Sequence, residues 1–168
     1  MSANRSRPTL ALAATAALLF SLSGCNSKPQ LSNLMDSFGK AEVQASPEVW
    51  DEHTVGLPFV FGYDEGLAKA KAEGRPAMVF LTTTWCKWCK RMSATCLQDP
   101  EIRTLLEQNF VLVLVDGDQE SAVKRKLKNT GYPHIVFISP DEQILASQNG
   151  FAEPDAFKQV IAQAISTS

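Results

Sequence analysis

The sequence predicts a single α/β domain with a central mixed β-sheet flanked by helices, and three observations predict it. Two short, wholly apolar runs, Ala77 to Leu81 and Phe110 to Val115, have the character of strands covered on both faces. Segments of helical periodicity are interleaved with them, and a strand–turn–strand pattern followed by an amphipathic segment closes the chain. Element by element, Asp64 is placed to cap a helix running through Leu67, Ala68 and Ala70 and stopped by Gly74. The Ala77 run gives the first strand, and helical pattern resumes after Cys89 through Met92 and Leu97. Asp99-Pro100-Glu101 supplies a capping side chain, a proline at the first helical position and an early acid, which starts a further helix to about Gln108. Phe110 to Val115 is the second strand, and Ser121 to Asn129 a basic helix ended by Gly131. Ile135 to Ile138 and Gln143 to Ala146 read as strands joined by the turn Ser139-Pro140-Asp141-Glu142. Pro154 begins a last helix that puts Phe157, Val160, Ile161 and Ile165 on one face.

The N-terminus has a different character. Arg5 and Arg7 form a basic start, and Leu10 to Leu22 an apolar core broken only by Thr15 and Ser21. That core is shorter than the ~20 apolar residues of a spanning helix. Its end, Leu22-Ser23-Gly24-Cys25, resembles the box of bacterial lipoproteins; an ordinary secretory signal that happens to hold a cysteine is the alternative. The resemblance implies cleavage before Cys25 and lipidation of that residue. The implied division is a signal over 1–24, a lipidated N-terminus and tether over 25–56, and the domain over 57–168. It also implies a lipoprotein of the cell envelope that faces the periplasm and attaches to the membrane through its lipid. Asn26 stands where an aspartate commonly signals inner-membrane retention, so the outer membrane is the expected site. Within the tether, Leu31, Leu34, Met35 and Phe38 fall at helical spacing, which fits either a short amphipathic helix or a linker with an apolar face.

Cleavage would leave 168 − 24 = 144 residues, enough for one cored domain. The chain has 16 basic and 18 acidic side chains; without Arg5 and Arg7 the balance is 14 − 18 = −4. A mildly acidic surface gives no reason to expect a nucleic-acid partner. Of the four cysteines, Cys25 belongs to the anchor, and Cys86, Cys89 and Cys96 lie close together. One tight pair is unlike the framework of a disulfide-stapled miniprotein.

Chemistry concentrates at Cys86-Lys87-Trp88-Cys89, directly after Thr82-Thr83-Thr84-Trp85. Two cysteines three positions apart can close a disulfide with little backbone movement. If they open a helix, unpaired N–H groups and the helix dipole favour a thiolate on the first. Thiolate is the species that attacks disulfides, so the motif points to thiol–disulfide exchange. A zinc ribbon would need a second cysteine pair, and the chain has none.

From Leu57 to Ser166 the chain resembles the thioredoxin superfamily. The residues that carry the resemblance are Trp85-Cys86-Lys87-Trp88-Cys89-Lys90 after a strand, Gly131-Tyr132-Pro133 before a later strand, and Gly150 before the last helix. With Asp99-Pro100-Glu101, it is most similar to the branch containing the C-terminal domain of the bacterial transmembrane thiol:disulfide reductase. The resemblance implies Cys86 as nucleophile and Cys89 as the residue that resolves the mixed disulfide. Trp85, Lys87, Trp88, Tyr132 and Pro133 would shape the site, with Pro133 cis. It implies no cofactor beyond the redox-active Cys86–Cys89 disulfide and no metal. Substrates would be disulfides of exported proteins, and electrons would come from a membrane dithiol. Reduction is the implied direction. An oxidase or isomerase using the same pair is one alternative, and a soft-metal-binding or assembly module using Cys86, Cys89 and His134 is another.

Two departures stand out. Thioredoxins bury an acid six residues before the first cysteine, where it serves the second as proton acceptor; here that position is Phe80. Lys87-Trp88 replaces Gly-Pro between the cysteines. Elsewhere, Cys96 is either a resolving thiol or, as is commoner, a small buried hydrophobe. His134 either lies near the sulfurs or packs at a strand start. His53 is expected to be solvated in the tether, Trp50 has no assigned role, and Lys124 to Lys128 read as a solvated helix face.

Overall fold

A computed structural model describes residues 47–168. The signal over 1–24, Cys25 and the segment from Leu31 to Phe38 lie outside the described residues. Among those described, no helix is long and apolar enough to cross a membrane.

The chain runs through a 3-10 turn at Pro47–Trp50, α1 (Asp51–Thr54), β1 (Val60–Phe61), α2 (Tyr63–Glu73), β2 (Ala77–Thr82) and α3 (Lys87–Met92). A single π turn, Ser93–Leu97, continues α3; then follow α4 (Pro100–Asn109), β3 (Val111–Asp116), α5 (Ser121–Lys126), β4 (His134–Ile138), β5 (Ile144–Asn149) and α6 (Pro154–Ser166). The strands form one five-stranded sheet in the order β1-β3-β2-β4-β5. β1 and β2 run parallel to β3, whereas β4 is antiparallel to β2 and to β5. The sheet is therefore mixed, as the sequence predicts.

Every side chain of β2 is buried. The two-residue period of a strand divides them between two cores. Met78 and Phe80 join Phe137, Leu106, Phe157 and both Cys86 and Cys89 on the face covered by α3, α4 and α6. Ala77, Val79 and Leu81 join Val113, Val136 and Tyr63 on the face with α2. A strand apolar at every position thus closes a sheet covered on both sides.

Several boundaries differ from those the sequence suggests, each for a local reason. Asp64 lies in the first turn of α2 rather than capping it; Gly62, at φ 95°, takes the cap position. Asp99 does cap α4, accepting from the N–H groups of Glu101 and Ile102 at 3.0 Å each, with Pro100 next. α5 stops at Lys126, short of Asn129, because Lys128 adopts a left-handed conformation (φ 51°) and Leu127 turns inward. β5 extends to Asn149, beyond Ala146. β1 has only two residues, too few for a periodic signal.

The largest correction concerns residues 47–56, assigned above to the tether. Trp50 is 2 % exposed and His53 wholly buried, so neither is solvated. Their rings meet edge to face at 5.2 Å. The Ser93 hydroxyl donates to the His53 carbonyl at 2.7 Å, and the Arg103 guanidinium donates to the Val55 carbonyl at 2.9 Å. Two long-range hydrogen bonds therefore hold the α1 segment, one to the π turn that continues the cysteine helix and one to α4.

Gly66 separates packing from propensity. Alanine in a helix interior is worth ~1 kcal/mol over glycine, but a Cβ at Gly66 would lie 2.3 Å from the Val113 side chain of the adjoining strand. Gly66→Ala is expected to lower the unfolding free energy in urea by about 1–3 kcal/mol, the cost of overpacking, instead of raising it.

Candidate active site

β2 ends at Thr82, and a tight turn delivers the chain into α3. The Cys86 N–H donates to the Thr83 carbonyl at 3.1 Å, and the Cys86 carbonyl accepts the first helical bond, from Lys90, at 3.1 Å. Cys86 is the N-cap of α3 with extended backbone (φ −73°, ψ 98°), and its sulfur accepts from the Cys89 N–H at 3.1 Å. Sulfur here takes the place of the oxygen of a capping Ser or Asp. A negative charge on that atom would be favoured by the same N–H and by the helix end. Cys86 and Cys89 form a disulfide, with Cα atoms 5.2 Å apart. Cys86 keeps 5 % of its surface exposed and Cys89 none.

The turn before β4 faces this pair. The Tyr132–Pro133 peptide bond is cis, and the Pro133 carbonyl accepts from the Gly150 N–H at 2.8 Å. Proline brings no N–H donor to the sulfurs. Trp85, Cys86, Lys87, Trp88 and Tyr132 line an open groove over the disulfide. Trp85 is 63 % and Trp88 52 % exposed, large apolar rings left to solvent beside a reactive bond. Each is held in place. The indole N–H of Trp85 donates to the Asp118 carboxylate at 2.8 Å, and its ring meets Tyr132 edge to face at 6.1 Å. Trp88 packs on Phe151 at 5.7 Å, and the Arg91 guanidinium lies over both rings, at 5.3 and 4.7 Å from their centres. Asp118 and Phe151 carry no sequence signal for this role, because a turn after β3 and the loop after β5 bring them to the site, whereas Arg91 comes from α3 itself.

Phe80 sits in the same core as both cysteines and is wholly buried, so no carboxylate occupies that position. His134 pairs with Leu81, and strand alternation puts it with Val136 and Ile138 on the opposite face of the sheet from the cysteines. Burial pushes its pKa below the ordinary histidine value. Of the two readings left open for this residue, packing at the strand start is the one observed. Among the described residues no group of three His, Cys, Asp or Glu side chains is arranged to hold a metal. The buried Cys96 thiol donates to the Ala152 carbonyl at 3.3 Å, and burial pushes its pKa up.

Sequence reasoning missed His53. Burial is the main cause that lowers its pKa, reinforced by the Lys90 ammonium; the Thr83 backbone and the Glu52 carboxylate act the other way. Neither ring nitrogen makes a hydrogen bond of normal geometry, and the Thr83 hydroxyl beside the cysteine turn is likewise buried and unpaired.

Comparison with known proteins agrees with this geometry. A family model described as thioredoxin-like matches residues 48–140. Disulfide bond reductase DsbH of Chlamydia pneumoniae is 30 % identical over 96 residues, 50 % of this chain and 58 % of that protein. Thiol:disulfide interchange protein DsbD of Ralstonia nicotianae is 28 % identical over 109 residues, 62 % of this chain and 18 % of that protein. Spermatogenesis-associated protein 20 of Rattus norvegicus is 29 % identical over 57 % of this chain and 13 % of that protein. The chain thus spans less than two thirds of the length of each of these curated relatives. Among solved structures, a thioredoxin from Thermus thermophilus superposes with a TM-score of 0.59 at 28 % identity, covering 64 % of this chain and 87 % of that one.

Two outcomes follow from this geometry. A Cβ at Gly117 would lie 2.0 Å from the Tyr132 hydroxyl, so Gly117→Ala should displace Tyr132 from Trp85 and change the tryptophan fluorescence, with the fold retained by circular dichroism. Both histidines are buried with lowered pKa values, chiefly through desolvation. The unfolded chain therefore binds protons that the folded one refuses once pH falls below about 6.5, the ordinary histidine value. Thermal denaturation should show the melting temperature falling from pH 7.5 to pH 5, with the loss beginning near that value.

Proposed function

The chain belongs to the thioredoxin-like family, and we propose that it is an envelope thiol–disulfide oxidoreductase that reduces disulfides of exported proteins. The observation that carries this reading is the Cys86–Cys89 disulfide capping α3, opposite the cis Tyr132–Pro133 turn and under a groove of exposed aromatic rings.

The sequence of steps follows from the two environments. In the reduced protein Cys86, at the helix end and on the groove, is the thiolate that attacks a substrate disulfide. One substrate sulfur leaves as a thiol, and Cys86 is joined to the other. Cys89, wholly buried beneath, then attacks the Cys86 sulfur; the mixed disulfide breaks, the Cys86–Cys89 bond forms and the reduced substrate departs. Two electrons pass from the dithiol to the substrate. Lys87 places a cation beside the nucleophile, and Trp85, Trp88 and Tyr132 supply an apolar bed for the chain around the substrate cystine. The cis turn leaves the Tyr132 backbone to pair with that chain.

Direction and place rest on further support. The relative named a disulfide bond reductase favours reduction, and the one named a thiol:disulfide interchange protein favours exchange chemistry. An exported reductant works against an oxidising compartment, so the protein would draw electrons from a membrane dithiol donor. The Leu22-Ser23-Gly24-Cys25 box supports a lipid anchor on Cys25, and Asn26 supports an outer-membrane, periplasm-facing position.

Cys86→Ser should abolish catalysis of insulin reduction by dithiothreitol, leaving only the uncatalysed rate, and Cys89→Ser should accumulate a mixed disulfide that is stable to non-reducing gel electrophoresis. Equilibration of the wild-type pair in glutathione or dithiothreitol buffers, read by thiol alkylation, should give a potential near about −250 mV or lower. A value near about −120 mV would make the protein an oxidant or isomerase with the same two cysteines. Insulin reduction by Cys86→Ser at the wild-type rate would remove the mechanism.

A further inference from the structure

We propose that His53 is the proton acceptor for Cys89 when that thiol attacks the mixed disulfide. The inference rests on the oxidoreductase reading above and deepens it.

The resolving step needs Cys89 as a thiolate, yet the residue is wholly buried and the strand beneath it offers Phe80 in place of an acid. A thiol in an apolar setting is held protonated. Among the described residues the buried histidines are His53 and His134, and His134 lies across the sheet. His53 is brought to the cysteine helix from three directions. Its carbonyl accepts from Ser93, which lies one helical turn after Cys89 and on the same side of the helix. The ammonium of Lys90, the residue after Cys89, acts on its ring, as does the backbone of Thr83, whose carbonyl also anchors the Cys86 N–H. The ring is thus bracketed by the turn that enters the motif and the helix that leaves it.

The surroundings suit a base. Charged groups facing the ring are Lys90 from α3, paired with Glu52 of α1; from the π turn the polar neighbour is the neutral Ser93, and from the 3-10 turn the ring of Trp50. The ring's nitrogens are buried, and the Thr83 backbone is their nearest hydrogen-bonding group, without a bond of normal geometry. Poorly satisfied buried polar atoms are uncommon in native structures and carry a cost that a catalytic role can explain. Burial and Lys90 keep the ring neutral at pH 7. In the step, the Cys89 proton passes to a His53 ring nitrogen while the Cys89 sulfur bonds to Cys86. The substrate sulfur leaves with the electron pair of the broken bond and takes up a proton, which His53 returns through solvent.

The test uses the reduced full-length protein and an aromatic disulfide whose released thiolate is coloured. Release comes in two phases: the first reports attack by Cys86 and the second resolution by Cys89. General-base catalysis contributes about 10²–10⁴-fold, so His53→Gln should slow the second phase at least tenfold and leave the first nearly unchanged. In the wild type the second phase should fall as pH drops below about 6.5, and that limb should vanish in the variant. A second phase with wild-type rate and pH profile in His53→Gln would overturn the inference and leave the oxidoreductase reading standing. Loss of the first phase in the wild type would sink both. A measurement free of substitution is available because the chain has two histidines. Ring resonances of labelled protein should show the His53 titration moving between the disulfide and dithiol states while His134 stays fixed. Identical His53 titration in the two states would refute the assignment even if His53→Gln did not fold.

Discussion

Because β2 is hydrogen-bonded along both edges and buried on both faces, its end at Thr82 is fixed to the interior, and the reactive pair is referenced to that point. The strand cannot slip by one residue without exchanging its two apolar sets between cores of different composition. One turn later, the Cys86 N–H is tied back to the Thr83 carbonyl, so the first helical N–H groups are aimed by the sheet. The neighbouring strand is fixed in the same way. β4 pairs with β2 from His134 to Ile138, which sets Pro133 at the level of the cysteines. A site made from two loops would be loose if the loops defined it; here both loops start from a strand end in the same ladder.

The same burial separates the environments of the two sulfurs. Cys86 has an N–H donor, the positive end of a helix and an open groove, all of which lower the cost of charge. Cys89 has none of these and sits among Phe80, Met92 and Leu97. Burial disfavours a charge at such a position, so in the proposed exchange the two cysteines are not charged together at close range. Phe80 sharpens this asymmetry, since a buried carboxylate at its position would add a like charge beside each thiolate. A neutral imidazole on the helix side would remove the proton without adding a negative charge to the core.

Much of this was legible in the sequence because it depends on local chemistry. The apolar runs predicted β2 and β3, Asp99-Pro100 predicted the α4 cap, and Cys-x-x-Cys followed by Tyr132-Pro133 marked two sides of the groove. What escaped depends on contacts far apart in the chain. Trp50 and His53 lie in a segment of polar composition that is tied down by Ser93 and Arg103, across sequence separations of 40 and 48 residues. Asp118 is an ordinary turn residue until the Trp85 indole reaches it. The π turn at Ser93–Leu97 adds a residue to the helix without any glycine or proline to announce it, and it keeps both Ser93 and Cys96 inward. The limit is physical: a short helix with two buried rings has no period to detect.

The exposed rings suit transient partners. Leaving Trp85 and Trp88 more than half in water forgoes burial that a static site would use. An exchange protein gains from that, because the covalent mixed disulfide supplies the holding force and the groove need only orient the partner. A tight non-covalent bed would slow release of the product after Cys89 attacks. The rings are accordingly rigid rather than enclosing: Asp118 and Tyr132 fix one, Phe151 and Arg91 the other. Rigid apolar faces contact extended chain with little ordering cost and little dependence on its sequence. A partner would thus be recognised mainly by having an accessible disulfide, with specificity set by whether its backbone can lie along Tyr132 between the two indoles.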